Sequence, residues 1–201
     1  AVAGRKVYTL TQGVKMTKTD MPIDQILMAA AVQDRPTTLP DGTPQPKLPH
    51  GSKILRRPVH VDDRGELQEI YGGFWDVDDI PVTHLYMTTL RPGVVKGWNL
   101  HKLHQDRYFL ITGTMQVVMY DTRPDSPTLG GVFSVTLSER NRFVLTVPEF
   151  VWHADYNCDT KEAIFVNLPT VGFDPKQPDK YRLPIDTDLI PYRFPDTTRG
   201  Y

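Results

Sequence analysis

A chain of 201 residues is long enough for one domain with a proper core and short for two. Its 23 basic and 24 acidic side chains leave a net charge of −1, which argues against a polynucleotide or an anionic membrane as partner. The longest apolar run, near Ile26 to Val32, falls well short of the roughly 20 residues of a membrane helix, and the sole cysteine, Cys158, leaves no internal disulfide. Ala1 to Gly13 has basic residues without the continuous apolar stretch of a secretion signal, so a cytoplasmic protein is expected.

In chain order, Met21 to Gln33 places Met21, Ile23, Ile26, Leu27 and Ala30 near helical spacing and predicts a short helix. Arg35 to His50 carries five prolines and reads as an extended arm, so residues 1–50 are expected as an N-terminal extension and 51–201 as the domain proper. From there the pattern turns to short β-rich runs at 67–71, 82–90, 108–111, 115–120, 132–137, 142–147 and 163–168. Turn chemistry separates them, as in Arg91-Pro92-Gly93 and Thr112-Gly113-Thr114. So many strands without intervening helices predict an all-β sandwich or barrel. The tail from Pro175, rich in proline and aspartate, reads as a strap over the surface rather than further core.

Two constellations carry chemical information. The first runs from Gly93 through Gly97-Trp98-Asn99-Leu100-His101 and His104-Gln105-Asp106 to Gly113, and strand alternation puts Asn99 and His101 on one face. The second is Pro148-Glu149-Phe150-Val151-Trp152-His153, with Asn157 beyond it. Together they resemble the two cupin motifs, G-x5-H-x-H-x3,4-E-x6-G and P-x-G-x2-H-x3-N. Here Asn99 replaces the first histidine, Asp106 the glutamate and Phe150 the second motif's glycine. The resemblance implies a cupin jelly roll with a Pro-rich N-terminal arm and a C-terminal strap.

A narrower likeness covers most of the chain after Val59. Asp62-Asp63-Arg64-Gly65-Glu66-Leu67-Gln68-Glu69, Gly93 to Asn99 and Asp121 to Gly130 (DTRPDSPTLG) resemble successive signatures of the dTDP-4-dehydrorhamnose 3,5-epimerases. The likeness implies a homodimer acting on, or binding, a nucleotide-linked or keto sugar, with no cofactor. It places Arg64, Glu69, His84, Lys96, Asn99, Tyr108 and Asn167 at the substrate. It also exposes departures: the family's catalytic histidine corresponds to Asn99, its tyrosine to about Asn167, its aspartate to about Val171 and an enolate-steadying lysine to Asp106.

Three readings follow. A rebuilt acid/base set would use His101 or His153 as catalytic base, since a polar side chain facing a barrel interior costs roughly 1–3 kcal/mol if it has no partner. A metal cupin would ligate Fe, Mn, Zn or Ni through His101, Asp106 and His153, a two-histidine, one-carboxylate face with open positions. A non-catalytic sugar-binding cupin would keep only the barrel and its pocket. Trp98, Tyr108 and Trp152 suit either stacking on a ligand or core packing. His104 reads as a solvated loop histidine.

Overall fold

The computed structural model describes residues 23–72, 82–196 and 198–200, and the chain divides into two compact units, 1–44 and 45–201. In the first unit, helix α1 (Ile23–Ala30) lies inside the predicted 21–33 span, and Met21 falls outside the described residues. The Pro-rich arm that follows contains a tight turn, with Leu39 N–H donating to Thr43 O and Gly42 N–H to Leu39 O, both at 2.9 Å.

The second unit is all β. Its strands are β1 (Lys53–Leu55), β2 (Val59–Asp62), β3 (Gly65–Gln68), β4 (Tyr86–Leu90), β5 (Val94–Leu100), β6 (Asp106–Thr112) and β7 (Thr114–Asp121). They continue with β8 (Val132–Ser138), β9 (Val144–Val147), β10 (Val151–Asn157), β11 (Ala163–Asn167), β12 (Tyr181–Arg182) and β13 (Arg199–Gly200). One sheet runs β1-β9-β6-β11-β4, the other β12-β5-β10-β7-β8 with β13 also on β5, and β2 and β3 form a separate hairpin. All the pairings are antiparallel except β13 with β5. Two facing antiparallel sheets in this order are the jelly roll that the sequence predicts.

The unit begins at Gln45 rather than at residue 51, because Leu48 already packs on the core. Between the sheets, alternate residues point inward: Leu110 from β6, Met115, Val117 and Met119 from β7, Leu145 and Val147 from β9 and Phe165 from β11. Strand β4 starts at Tyr86, later than the predicted residue 82.

The tail departs from its expected role as mere strap. Ile190 is fully buried, and with Leu183, Ile185, Tyr192 and Phe194 it covers Val95, Trp98, Val118 and Ala154 on the outer face of the β5–β10–β7 sheet. This second core needs the tail because β7 and β10 carry apolar side chains on both faces, which proline and aspartate content does not reveal. Trp98 belongs to this cluster and Trp152 packs against it, so neither stacks on a ligand.

Candidate functional site

A bulge shapes the site. His153 faces Asn99 and Asp155 faces Lys96, so two residues of β10 span three steps of β5. The extra residue lets Lys96 and Asn99 both turn into the barrel despite their odd spacing. Gly97 sits at this step, where a Cβ would lie 2.4 Å from the Ala154 Cβ, so the strands close up only with glycine.

The resulting cavity, about 470 Å³, opens at one end of the barrel. His84, Lys96, Asn99, His101, Asp106 and Tyr108, all expected from the sequence, line it. So do Tyr86, His104, Asp155, Asp179 and Lys180, which were not. Asn167 is fully buried beside the wall. Arg64 and Glu69, expected at the substrate, are exposed outside it: Arg64 pairs with Asp62 at the tip of the β2–β3 hairpin, which joins neither sheet.

Asp106 is the hub of the wall. Its Oδ2 lies 3.3 Å from His101 Nε2 and 3.2 Å from His153 Nε2 and accepts from Tyr108 OH at 2.8 Å, while Oδ1 accepts from Asn167 Nδ2 at 2.7 Å. Burial pushes this carboxyl up, but the two imidazoles outweigh it and hold Asp106 well below the carboxylate range. Burial likewise pulls His153 down, and Asp106 more than reverses it. Asp106 therefore works as a buried anion balanced by imidazole, while its neighbour Arg107 points to the other face and donates to Leu168 O at 2.7 Å.

The two histidines expected to be catalytic are engaged. His153 is 1% exposed and is absent from the cavity lining, with Nδ1 3.1 Å from Val151 O. His101 reaches the cavity, yet its Nδ1 meets Asp179 O at 2.5 Å and its Nε2 faces Asp106. A base needs a free lone pair. His104 has one: Nδ1 meets Asp179 Oδ2 at 2.9 Å, and Nε2, 3.7 Å from Asp106 Oδ1, is beyond hydrogen-bond reach. Burial and then the adjacent His101 pull the His104 imidazole below its ordinary value, which favours its neutral form. Its ring is stacked 4.1 Å from that of His101, so the expectation of a solvated loop histidine is corrected.

Asp179 is held as an anion by the backbone N–H groups of Lys102 and Leu103, at 2.9 and 2.7 Å. Nothing in its proline-rich surroundings marks it in the sequence, because it reaches the barrel through a long-range pairing, that of β12 with β5. Asp155 is buried, its Oδ1 has no partner among the described residues, and burial pushes its carboxyl up to about 7. Among the described residues, two groups bring together donors suited to a cation: His101, Asp106 and His153, and His101, His104 and Asp179.

The sequence profile of the dTDP-4-dehydrorhamnose 3,5-epimerases matches residues 48–188. The chain belongs to this epimerase family. A probable low-salt glycan biosynthesis epimerase of Haloferax volcanii is 33% identical over 138 residues, 68% of this chain and 88% of that protein. A spore coat polysaccharide biosynthesis protein of Bacillus subtilis, SpsL, is 30% identical over 72% of this chain and 95% of its own length. Among solved structures, a dTDP sugar isomerase of Desulfovibrio desulfuricans superposes with a TM-score of 0.67 at 23% identity, over 73% of this chain and 93% of the other. The 3'-monoepimerase ChmJ of Streptomyces bikiniensis, in complex with dTDP-quinovose, gives 0.66 at 20% identity, over 78% and 81%. At these identities the structures show a shared fold. Against the epimerase family's pattern, Asn99, Asn167 and Val171 stand where the histidine, tyrosine and aspartate are expected, and none of the three can exchange a proton near neutrality.

Proposed function

We propose that the protein is an epimerase- or isomerase-type enzyme acting on a nucleotide-linked keto sugar, with His104, oriented by Asp179, as its base. The observation that carries this reading is the His104–Asp179 pair in the cavity wall, which leaves one imidazole lone pair free. The Nε2 lone pair takes the proton alpha to the ketone, the C–H electron pair delocalises into the carbonyl, and Asp179 holds the imidazolium that forms. Lys96 and Lys180 line the same cavity and supply the positive charge that a diphosphate and an enolate oxygen both require. Asn99 offers an amide to the sugar.

The active form is a homodimer. The hairpin exposes Val61 (74%) and Leu67 (60%), and the edge strand β4 exposes Met87 (64%) beside the cavity residues His84 and Tyr86. A second copy covering these surfaces brings Arg64 and Glu69 to the partner's cavity, where an exposed guanidinium suits a diphosphate. A cytoplasmic setting fits a nucleotide-sugar substrate; separately, no described helix is long and apolar enough to cross a membrane.

Nuclear magnetic resonance of a dTDP-linked 4-keto sugar incubated in D2O tests the reading. Deuterium should enter alpha to the ketone with wild-type protein and at least about 100-fold more slowly with His104→Ala. No incorporation by wild type overturns it.

One observation favours a second reading. The Nδ1 atoms of His101 and His153 face backbone carbonyls, so both Nε2 lone pairs converge with Asp106 Oδ2, and His153 Nε2 has no partner in hydrogen-bonding geometry. Three acceptors at one point call for a cation, either a proton on imidazole or a divalent metal such as Fe, Mn, Zn or Ni. A metal there would polarise a substrate carbonyl. Elemental analysis decides: about one metal per chain, lost in His101→Ala and His153→Ala, supports the metal, and metal-free protein after loading sinks it.

A further inference from the structure

An epimerisation needs a second group, on the far face of the sugar, to return a proton. The position where the family's tyrosine is expected holds Asn167, fully buried at the end of β11. Its cross-strand partner in β4 is Tyr86, and its partner on the other side, in β6, is Tyr108. Directly opposed residues of neighbouring strands point to the same face, so Tyr108, Asn167 and Tyr86 form one row along the cavity wall.

The two phenols are not equivalent. Tyr108 spends its proton on Asp106 Oδ2 at 2.8 Å and packs its ring on Phe165. Tyr86 instead accepts: Asn167 Nδ2 donates to its hydroxyl oxygen at 2.8 Å, no acceptor among the described residues takes its O–H hydrogen, and Tyr86 lines the cavity. Asn167 is fixed for this task, because its Oδ1 accepts from Arg107 N–H at 3.0 Å and its Nδ2 also donates to Asp106. Burial, then the charge of Asp106, push the Tyr86 phenol up to about 12, so it keeps its proton at neutral pH.

We propose that Tyr86 is the proton donor opposite His104, taking over from the neighbouring strand the role that Asn167 cannot fill. The two groups come from different walls: Tyr86 from the β4 edge of one sheet, His104 from the β5–β6 connection, held by the tail that pairs with β5 of the other. The Tyr86 O–H bond breaks as a C–H bond forms at the enolate carbon, the enolate electron pair supplies that bond and the ketone re-forms. The phenolate is held by the Asn167 N–H and recovers its proton from water. This rests on the proposed function, which supplies the enolate.

The test is Tyr86→Phe with a dTDP-linked 4-keto sugar in D2O, read for both deuterium content and configuration. Position 86 is 42% exposed, and the change removes one hydroxyl. If Tyr86 is the donor, His104 still removes the proton and returns a deuteron to the same face. Deuterium entry then stays within about fivefold of wild type while inverted product falls at least about 100-fold. Inversion at near the wild-type rate, or exchange and inversion falling in equal proportion, overturns the assignment. Absence of exchange in wild type instead overturns the proposed function itself, so the two failures are distinguishable.

Discussion

His104 Nδ1 lies 2.9 Å from Asp179 Oδ2, joining the β5–β6 connection to the tail that follows β11. The same carboxylate accepts the Lys102 and Leu103 backbone N–H groups, so loop and imidazole are set by one anion. Asp179→Asn keeps the size but offers one acceptor oxygen where the carboxylate uses two. Turnover should fall about 100-fold or more with KM changed only a few-fold, because the lost support acts on the imidazolium formed in the transition state. Steady-state kinetics check this, and an unchanged kcat would remove His104 from the role of base.

Asp121, which opens the DTRPDSPTLG string, is fully buried. It accepts from Arg123 Nε and Nη2 at 2.9 and 2.8 Å and from the Ser126 and Thr128 hydroxyls at 2.6 Å. Burial pushes the carboxyl up, but these donors outweigh it and hold it far below its ordinary value of 3.8. A depressed folded value means that the stabilisation is present above pH 3.8 and is lost as pH falls through the folded value. Asp121→Asn should cost roughly 1.5–3 kcal/mol at pH 7. The gap in Tm from wild type should narrow on acidification below about pH 4. A gap independent of pH would mean that the charge of Asp121 is not what the loop depends on.

Phe150 stands at the glycine position of the second cupin motif and keeps a left-handed backbone, with φ of 60°. Its N–H donates to His101 O at 2.8 Å, so the conformation is fixed by the strand end that carries the site. Left-handed backbone costs a non-glycine residue about 1–2 kcal/mol. Phe150→Gly is therefore expected to be about 1 kcal/mol more stable than Phe150→Ala in urea unfolding, despite glycine's freer unfolded chain. Equal stability of the two variants would show that no strain resides there.

Light scattering should give a dimer for wild type and a monomer for Val61→Asp/Leu67→Asp, since burying two carboxylates in an apolar interface is prohibitive. In calorimetry, dTDP should then bind the monomer at least about tenfold more weakly, as should Arg64→Ala in the dimer. A monomeric wild type, or full affinity in Arg64→Ala, would refute a shared site.

The barrel was legible because period-two apolar runs and turn residues are local signals, and the cupin spacing placed His101, Asp106 and His153 together, as the distances around Asp106 show. What escaped was long-range. His104 looked like a loop residue because its partner, Asp179, is contributed by a tail with no strand pattern. Lys96 was expected from the family likeness, but the bulge at Gly97 that lets it join Asn99 is not foreseen by alternation. Tyr86 acquires its place from pairing with Asn167, and cross-strand register is not written in either strand alone. Arg64 and Glu69 matched a motif whose residues lie outside the chain's own cavity.

Because Asp179 and Lys180 belong to the tail, the order of synthesis matters. Strands β1 to β11 leave the ribosome first and can bury the inter-sheet core around Leu110, Val117 and Leu145 by themselves. A nascent chain halted before residue 179 would own a barrel but no oriented imidazole, and one halted before Ile190 would leave Trp98 bare. On the proposed function, chemical competence thus arrives only after the strands of the inter-sheet core have been made.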